Sequence, residues 1–196
     1  MESKARFLGH PIHQMLIVFP LGLLATAVIF DIINLVAHDP RWAEAAFFLI
    51  RAGVVGGVIA GIFGVIDWLA IPRRTRAKRI GLWHGVGNLV VLGLFVVDWL
   101  LRRDTPATPP TAAVVAGILG VGLALVTGWL GGELVDRLGV GVAEGAHLNS
   151  PSSLSQLPAS MYRNDTGASH RWTGPERRTQ PAHAFTGRER RRATVA

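Results

Sequence analysis

Four long apolar runs fill most of the first 136 residues and constrain the fold more than any other feature. A helix needs about 20 apolar residues to cross the hydrocarbon core of a bilayer. The runs predict membrane-spanning helices at about residues 12–36, 43–71, 80–101 and 111–134. Short loops rich in proline and charge separate them, and helices joined in this way pack as antiparallel neighbours. The sequence therefore predicts an all-α integral membrane protein, a four-helix up-down-up-down bundle with its first and third helices on a diagonal.

Basic residues are spread unevenly over the loops, and this predicts the orientation. The 71–79 loop carries five Lys and Arg residues, whereas the other two loops carry Arg41 in one and Arg102 and Arg103 in the other. The N-terminus and the C-terminal segment are also basic. The positive-inside rule places both termini in the cytoplasm. Anionic lipid headgroups are the expected partner of the 71–79 loop, at about 1 kcal/mol per basic residue.

The C-terminal third differs in composition from the rest of the chain. Residues 1–142 form the predicted transmembrane domain, while residues 143–196 are rich in Ser, Pro, Thr and Arg. Such a segment has too little apolar surface to order itself, so we expect a disordered, basic cytoplasmic tail. The run GRERRR at 187–192 is interpreted as a solvated part of this tail near anionic lipid, and no nucleic acid is expected as a partner.

The chain has no cysteine, which excludes disulfides, iron–sulfur clusters and thiol catalysis. Nucleophile–base pairs, phosphate-binding loops and zinc-protease motifs are also absent from the sequence, so hydrolase and nucleotide-binding functions are disfavoured. An electron-transfer subunit fits the sequence better than an enzyme with catalytic residues of its own.

Ionisable residues inside a bilayer are costly, and each needs a partner. Near the outer ends of the spans, Asp31 and Arg51 have depths that agree within roughly 3 Å at the helical rise of 1.5 Å per residue. They are predicted to form a structural ion pair. Asp98 lies closer to the surface and is expected to be hydrated.

A larger polar set lies within about two helical turns of the cytoplasmic side and draws on all four helices. Its members are His10, His13, Asp67, His84, Asn88 and Glu133. Imidazole is a good ligand for haem iron, zinc and copper. His13 and His84 begin the two diagonal helices at similar depth, so their rings are predicted to face each other through the core.

This placement predicts that His13 and His84 are axial ligands of one b-type haem. Other residues would support the site. Gly81 and Gly85 would let a flat macrocycle approach the backbone, and the candidates for holding the second ring proton of a ligand are Asp67, Glu133 and His10. A non-haem metal site built from His13, His84, Asp67 and Glu133 is a further option.

Three other interpretations stay open. Histidines near an interface can bind water or headgroups and coordinate nothing. The protein can be a passive assembly module that meets a membrane redox partner or a second copy of itself through rows of small residues, Gly53, Gly57 and Gly61 in one helix and Ala116, Gly120, Ala124, Gly128 and Gly132 in another. A proton or ion pathway would use Asp31, Arg51, Asp67 and Glu133.

Four segments carry a further pattern: GHPIHQMLIVFPLGL at 9–23, AGIFGVIDW at 60–68, HGVGNL at 84–89 and GWLGGELVDRLGVGV at 128–142. Together they resemble the bacterial membrane-protein family labelled domain of unknown function 2231. The resemblance implies four spans in a bacterial plasma (inner) membrane, and it implies a redox setting because some members accompany cytochrome-type domains. It places His10, His13, Asp67, His84, Gly131, Gly132 and Glu133 at recurrent family positions. The chain departs from the pattern at Asp136, where tyrosine is common, and at Leu138, where histidine is common.

Overall fold

The computed structural model describes residues 1–161, and within them four helices are long and apolar enough to cross a membrane. A short hairpin, with two residues in each strand, precedes them. The elements are β1 (Arg6–Phe7), β2 (His10–Pro11), α1 (Ile12–Leu16), α2 (Val18–Ala37), α3 (Pro40–Ala70), α4 (Arg76–Arg102), α5 (Thr111–Gly132), a π-helical turn (Glu133–Arg137) and a 3₁₀ turn (Ser153–Ser155). The predicted all-α membrane fold is confirmed.

Local sequence sets the helix boundaries. The first span is split at Ile17 because Pro20 has no N–H for the carbonyl of Leu16. Helix α3 begins three residues earlier than predicted because Asp39 caps it and proline occupies its first position. Thr75 caps α4 by accepting a hydrogen bond from the Lys78 N–H.

The first span (α1 with α2) packs against α3 and α5, and α4 packs against the same two helices. The first and third spans therefore lie on a diagonal, as predicted for an up-down-up-down bundle. The centre of the bundle is filled by Leu24, Ile50, Val91 and Phe95, among other apolar side chains. Large apolar residues elsewhere on the helices are exposed, such as Leu125 at 71%. Exposed apolar side chains of this kind are suited to hydrocarbon.

One buried ionic cluster joins the diagonal helices at the end of the bundle opposite the histidines. The Arg102 guanidinium donates to both carboxylate oxygens of Asp31, at 2.9 and 2.7 Å, and its Nε donates to Asp98 Oδ1 at 2.7 Å. All three side chains are at most 1% exposed. Two sequence predictions are therefore wrong: Asp31 does not pair with Arg51, and Asp98 is not hydrated.

Arg51 fails as the partner because its side chain lies on an outer face of α3. It is exposed, and its guanidinium carbon lies 5.5 Å from the centre of the Phe47 ring. Arg51 and Asp31 lie at similar depths in the membrane, but the Arg51 side chain points away from the centre of the bundle, where Asp31 is buried.

The ionic cluster predicts very different effects for two alanine substitutions. We expect Asp31→Ala to lower the free energy of unfolding by about 3–5 kcal/mol, since it leaves a buried guanidinium without its bidentate partner. Arg51→Ala removes no ion pair and relieves an exposed charge on a membrane span, so it should leave that energy unchanged or raise it. Thermal unfolding in mild detergent, followed by circular dichroism, measures both. Equal effects of the two variants would contradict the assigned pairing.

Close helix contact at Gly120 gives a second prediction. A Cβ atom at this position would lie 2.8 Å from Cε2 of Phe95, a fully buried ring with no room to move, whereas a Cβ at Gly122 meets no atom within 4 Å. Gly120→Ala should therefore destabilise the protein by about 1–3 kcal/mol. Gly122→Ala, on the same helix, is the control and should leave the thermal midpoint unchanged or raise it. A neutral Gly120→Ala would show that α4 and α5 are packed less tightly here.

Candidate histidine centre

His13 and His84 meet where the first and third spans begin. Their ring centroids are 6.4 Å apart and the ring planes are nearly perpendicular, at 87°. Both side chains are partly buried. Because the two residues come from diagonal helices, their rings reach across the bundle rather than along one of its faces.

Each ring is held by the backbone of the next helix in the chain. His13 Nδ1 lies 2.8 Å from the carbonyl oxygen of Ala60, and His84 Nδ1 lies 2.8 Å from that of Thr127. A carbonyl oxygen only accepts, so Nδ1 carries the proton in each neutral ring and donates it. The Nε2 lone pair of each ring then remains as a metal donor.

Glycines make the space for both rings. A Cβ atom at Gly64 would lie 2.9 Å from Cε1 of His13, and one at Gly131 would lie 3.1 Å from Cε1 of His84. Each glycine follows the residue whose carbonyl accepts the histidine hydrogen bond by four positions, one helical turn further on. The two histidines therefore occupy the same type of notch.

This similarity extends to the sequence as an internal repeat. Leu-Gly-Leu follows the histidines at identical spacing, at residues 21–23 and 92–94. The first hairpin (α1 to α3) and the second (α4 and α5) thus repeat one arrangement, with equivalent helices on opposite corners of the bundle. His13 and His84 are equivalent positions of this repeat.

Asn88 adds support on one side only. Its side-chain amide donates to the carbonyl of His84 at 2.8 Å, and its Oδ1 accepts from the Thr127 hydroxyl at 3.1 Å. The amide nitrogen also lies 3.4 Å from Nδ1 and 3.3 Å from Nε2 of His84, so it rests beside the ring at nearly equal distance from both nitrogens. Ile17 stands at the equivalent place in the first hairpin. His84 is therefore the more firmly positioned ring.

The residues predicted to accept the second ring proton, Asp67, Glu133 and His10, contact other groups instead. Asp67 accepts hydrogen bonds from the hydroxyl of Ser3 and the backbone N–H groups of Lys4 and Ala5, at 2.7 to 3.2 Å. It fastens the N-terminal segment to α3. The role assigned to Asp67 is therefore wrong, and backbone carbonyls fill it instead.

Glu133 and His10 are also engaged elsewhere. Glu133 forms an ion pair with Arg76 at 2.5 Å, which ties the start of α4 to the end of α5. His10 is exposed, and its Nε2 lies 3.2 Å from the hydroxyl of Ser153. Within residues 1–161, no three His, Asp or Glu side chains come together as a metal site. The four-ligand non-haem site of His13, His84, Asp67 and Glu133 is therefore not formed.

The two glycines predicted to admit a macrocycle differ. Gly81 is filled by Trp68, whose Cδ1 would lie 2.8 Å from an added Cβ, so it leaves no space for a ligand. Gly85 has no atom within 4 Å of the same position. Gly85 is exposed, so this open space lies at the surface of the bundle. Of the positions that depart from the family pattern, Asp136 is exposed and Leu138 ends the π-helical turn.

The separation of the two ring centroids is close to that of two imidazoles bound to one metal ion. A metal–imidazole bond is about 2.0 Å long, so two imidazoles on opposite sides of one ion have centroids roughly 6 Å apart. The observed separation is 6.4 Å. The two rings offer two neutral nitrogen ligands. Such a pair suits a metal ion whose remaining coordination positions are already filled by other ligands.

The N-terminal segment meets residues 139–144 at this end of the bundle. The Met1 ammonium donates to the carbonyl of Gly139 at 3.0 Å, and the Gly141 N–H donates back to Met1 at 2.9 Å. The Glu144 N–H donates to the Glu2 side chain at 3.2 Å. The sequence predicts disorder from residue 143, but residues 143–161 are placed against the N-terminal segment. The rest of the predicted tail, residues 162–196, lies outside the described residues.

Because Asp67 anchors the N-terminal segment to α3, we expect Asp67→Ala to release that segment. The amide protons of Lys4 and Ala5 lose a charged acceptor, a bond type worth about 1.5–3 kcal/mol, so their exchange should quicken by at least about tenfold. Hydrogen–deuterium exchange of the detergent-solubilised protein measures this. Glu133→Ala is the control and should leave these two amides unchanged. Equal exchange in wild type and Asp67→Ala would show that other contacts hold the segment.

A family model described as a predicted membrane protein (DUF2231) matches residues 9–144. No curated protein and no solved structure matches the chain. The matched segment includes both ring histidines, Asp67 and Glu133, and the resemblance found in the sequence is thereby confirmed. Since the match covers more than half of the chain, the protein belongs to the DUF2231 family of predicted membrane proteins.

Proposed function

We propose that this protein binds one b-type haem between His13 and His84 and carries electrons within the membrane. The observation that supports this most is the pair of opposed rings whose Nδ1 atoms are both engaged by backbone carbonyls. This pairing leaves two Nε2 donors for one iron. Haem, when bound, supplies a reversible one-electron step.

Charge favours haem over a bare metal ion. A dication held by two neutral imidazoles would keep its charge in a medium of low dielectric constant, which is costly. The nearby carboxylates, Asp67 and Glu133, are already hydrogen-bonded to other groups. A porphyrin brings four nitrogen ligands and two negative charges of its own, so the protein needs to add only the axial pair.

The chain's own part in this function is to hold and shield the two rings. The carbonyls of Ala60 and Thr127 fix the tautomer and direction of each imidazole, as outer ligands do at metal sites. Asn88 fixes the second ring further. The N-terminal segment and residues 139–161 cover the end of the bundle and limit access of water.

We also propose the membrane setting and the partners. The chain would lie in a bacterial inner membrane with both termini in the cytoplasm. Exposed arginines of the 71–79 loop, such as Arg73, Arg74 and Arg79, would then contact anionic headgroups. The electron partner would be another membrane redox protein, or a second copy of this chain.

The haem proposal is tested by an optical spectrum. We expect the protein, expressed with haem supplied and purified in mild detergent, to show a Soret shift and an α-band in a reduced-minus-oxidised spectrum. His13→Ala and His84→Ala should each lose the low-spin spectrum because one axial ligand is missing. His10→Ala, a histidine outside the ring pair, is the matched control and should keep it. A wild-type protein without haem bands would refute the proposal.

A structural clasp is the second candidate, and the same contacts favour it. Each histidine hydrogen-bonds the neighbouring helix and fits a glycine notch, so the rings can hold the hairpins together in a passive assembly module. This function predicts lower thermal midpoints for His13→Ala and His84→Ala in a protein that never takes up haem. A proton or ion pathway has less support, because Asp31, Asp67 and Glu133 are engaged and Arg51 is exposed.

A further inference from the structure

The ionic cluster of Asp31, Asp98 and Arg102 holds two carboxyl groups against one guanidinium. All three side chains are at most 1% exposed. If both carboxyl groups were ionised, the cluster would carry one negative charge in an apolar surrounding. An unpaired buried charge of this kind is strongly unfavourable.

The hydrogen bonds show which oxygen lacks a partner. Both oxygens of Asp31 accept from the two terminal nitrogens of Arg102, and Asp98 Oδ1 accepts from Nε. Asp98 Oδ2 is buried and has no hydrogen-bond partner among the described residues. It points at α5, where a Cβ atom added to Gly117 would lie 2.9 Å away.

Other charges do not compensate for this oxygen. The first span supplies Asp31 and α4 supplies Asp98 and Arg102, while on α5 the backbone at Gly117 lies beside Asp98 Oδ2. Within residues 1–161, no further Lys, Arg or His forms an ion pair with either carboxyl group. The charge must therefore be cancelled at Asp98 itself.

We propose that Asp98 Oδ2 is a proton-binding site, so that the cluster consists of a neutral Asp98, an ionised Asp31 and Arg102. The proton makes the cluster neutral. It sits on the oxygen that receives no donor, while Oδ1 continues to accept from Arg102. This site is separate from the histidine centre: Asp31 lies 18 residues after His13, or about 27 Å along the helix axis. It does not depend on haem.

Infrared spectroscopy of the full chain in lipid nanodiscs tests the proposal. At neutral pH, the wild type should show the C=O stretch of a protonated carboxyl group, and Asp98→Asn should lose that band. Asp31→Asn should lose it too, because Asp98 then becomes the single counterion of Arg102 and ionises. Glu133→Gln is the control and should keep the band. A band unaffected by Asp98→Asn, or one that persists in Asp31→Asn, would overturn the proposal.

Stability gives an independent readout if Asp31→Asn fails to fold. An amide is a neutral analogue of a protonated carboxyl group, so Asp98→Asn should keep the wild-type thermal midpoint, while Arg102→Met should lower it strongly. If Asp98→Asn is as unstable as Arg102→Met, then Asp98 is an anion in the folded protein and the proposal is wrong. Stability that requires added sodium or potassium, and loses that requirement in Asp98→Asn, would show a metal cation at Oδ2 instead of a proton.

Discussion

A polar side chain within a bilayer has to find its partner inside the same protein, since hydrocarbon offers none. In this bundle the buried side chains meet that requirement in two ways. At one end His13 and His84 bind backbone carbonyls of the neighbouring helices, and at the other end Arg102 reaches Asp31 across the diagonal. The apolar core between the two ends is filled by side chains such as Ile50 and Phe95. The bundle is thus held by packing at its middle and by polar contacts at both ends.

The bilayer constraint also explains how much of the fold could be predicted. Length and hydropathy alone give the four spans, and short loops give their antiparallel order. Depth along a helix can be counted from its ends, which placed His13 and His84 at one level. Direction around the helix is harder, because nearly every face of these helices is apolar. Asp31 was therefore given the wrong partner, Arg51, although the depth was suitable.

The sequence does contain a pattern that predicts Arg102 as the buried arginine, but the predicted end of the third span excluded it. Asp98 and Arg102 are four positions apart, the spacing at which helical side chains pair. The third span was predicted to end at residue 101, which left Arg102 in a loop. In the structure the helix continues through Arg102. Because of this one-residue extension, Arg102 lies inside the bundle and forms the centre of the buried ionic cluster. Similarly, the serine-rich composition after residue 143 concealed contacts that depend on the N-terminus, such as that of Glu2 with the Glu144 backbone.

The supports of the histidine centre could not be read from side-chain types, because any residue can supply a carbonyl oxygen. The repeat was the one sequence pattern that pointed to these supports. In each hairpin a glycine lies one turn after the residue whose carbonyl accepts the histidine hydrogen bond, Gly64 after Ala60 and Gly131 after Thr127. The repeat makes the two rings equivalent in position, yet Asn88 has an amide where the first hairpin has Ile17. The backbone support is therefore repeated in both hairpins while the side-chain support is not, and His84 is held by one more residue than His13.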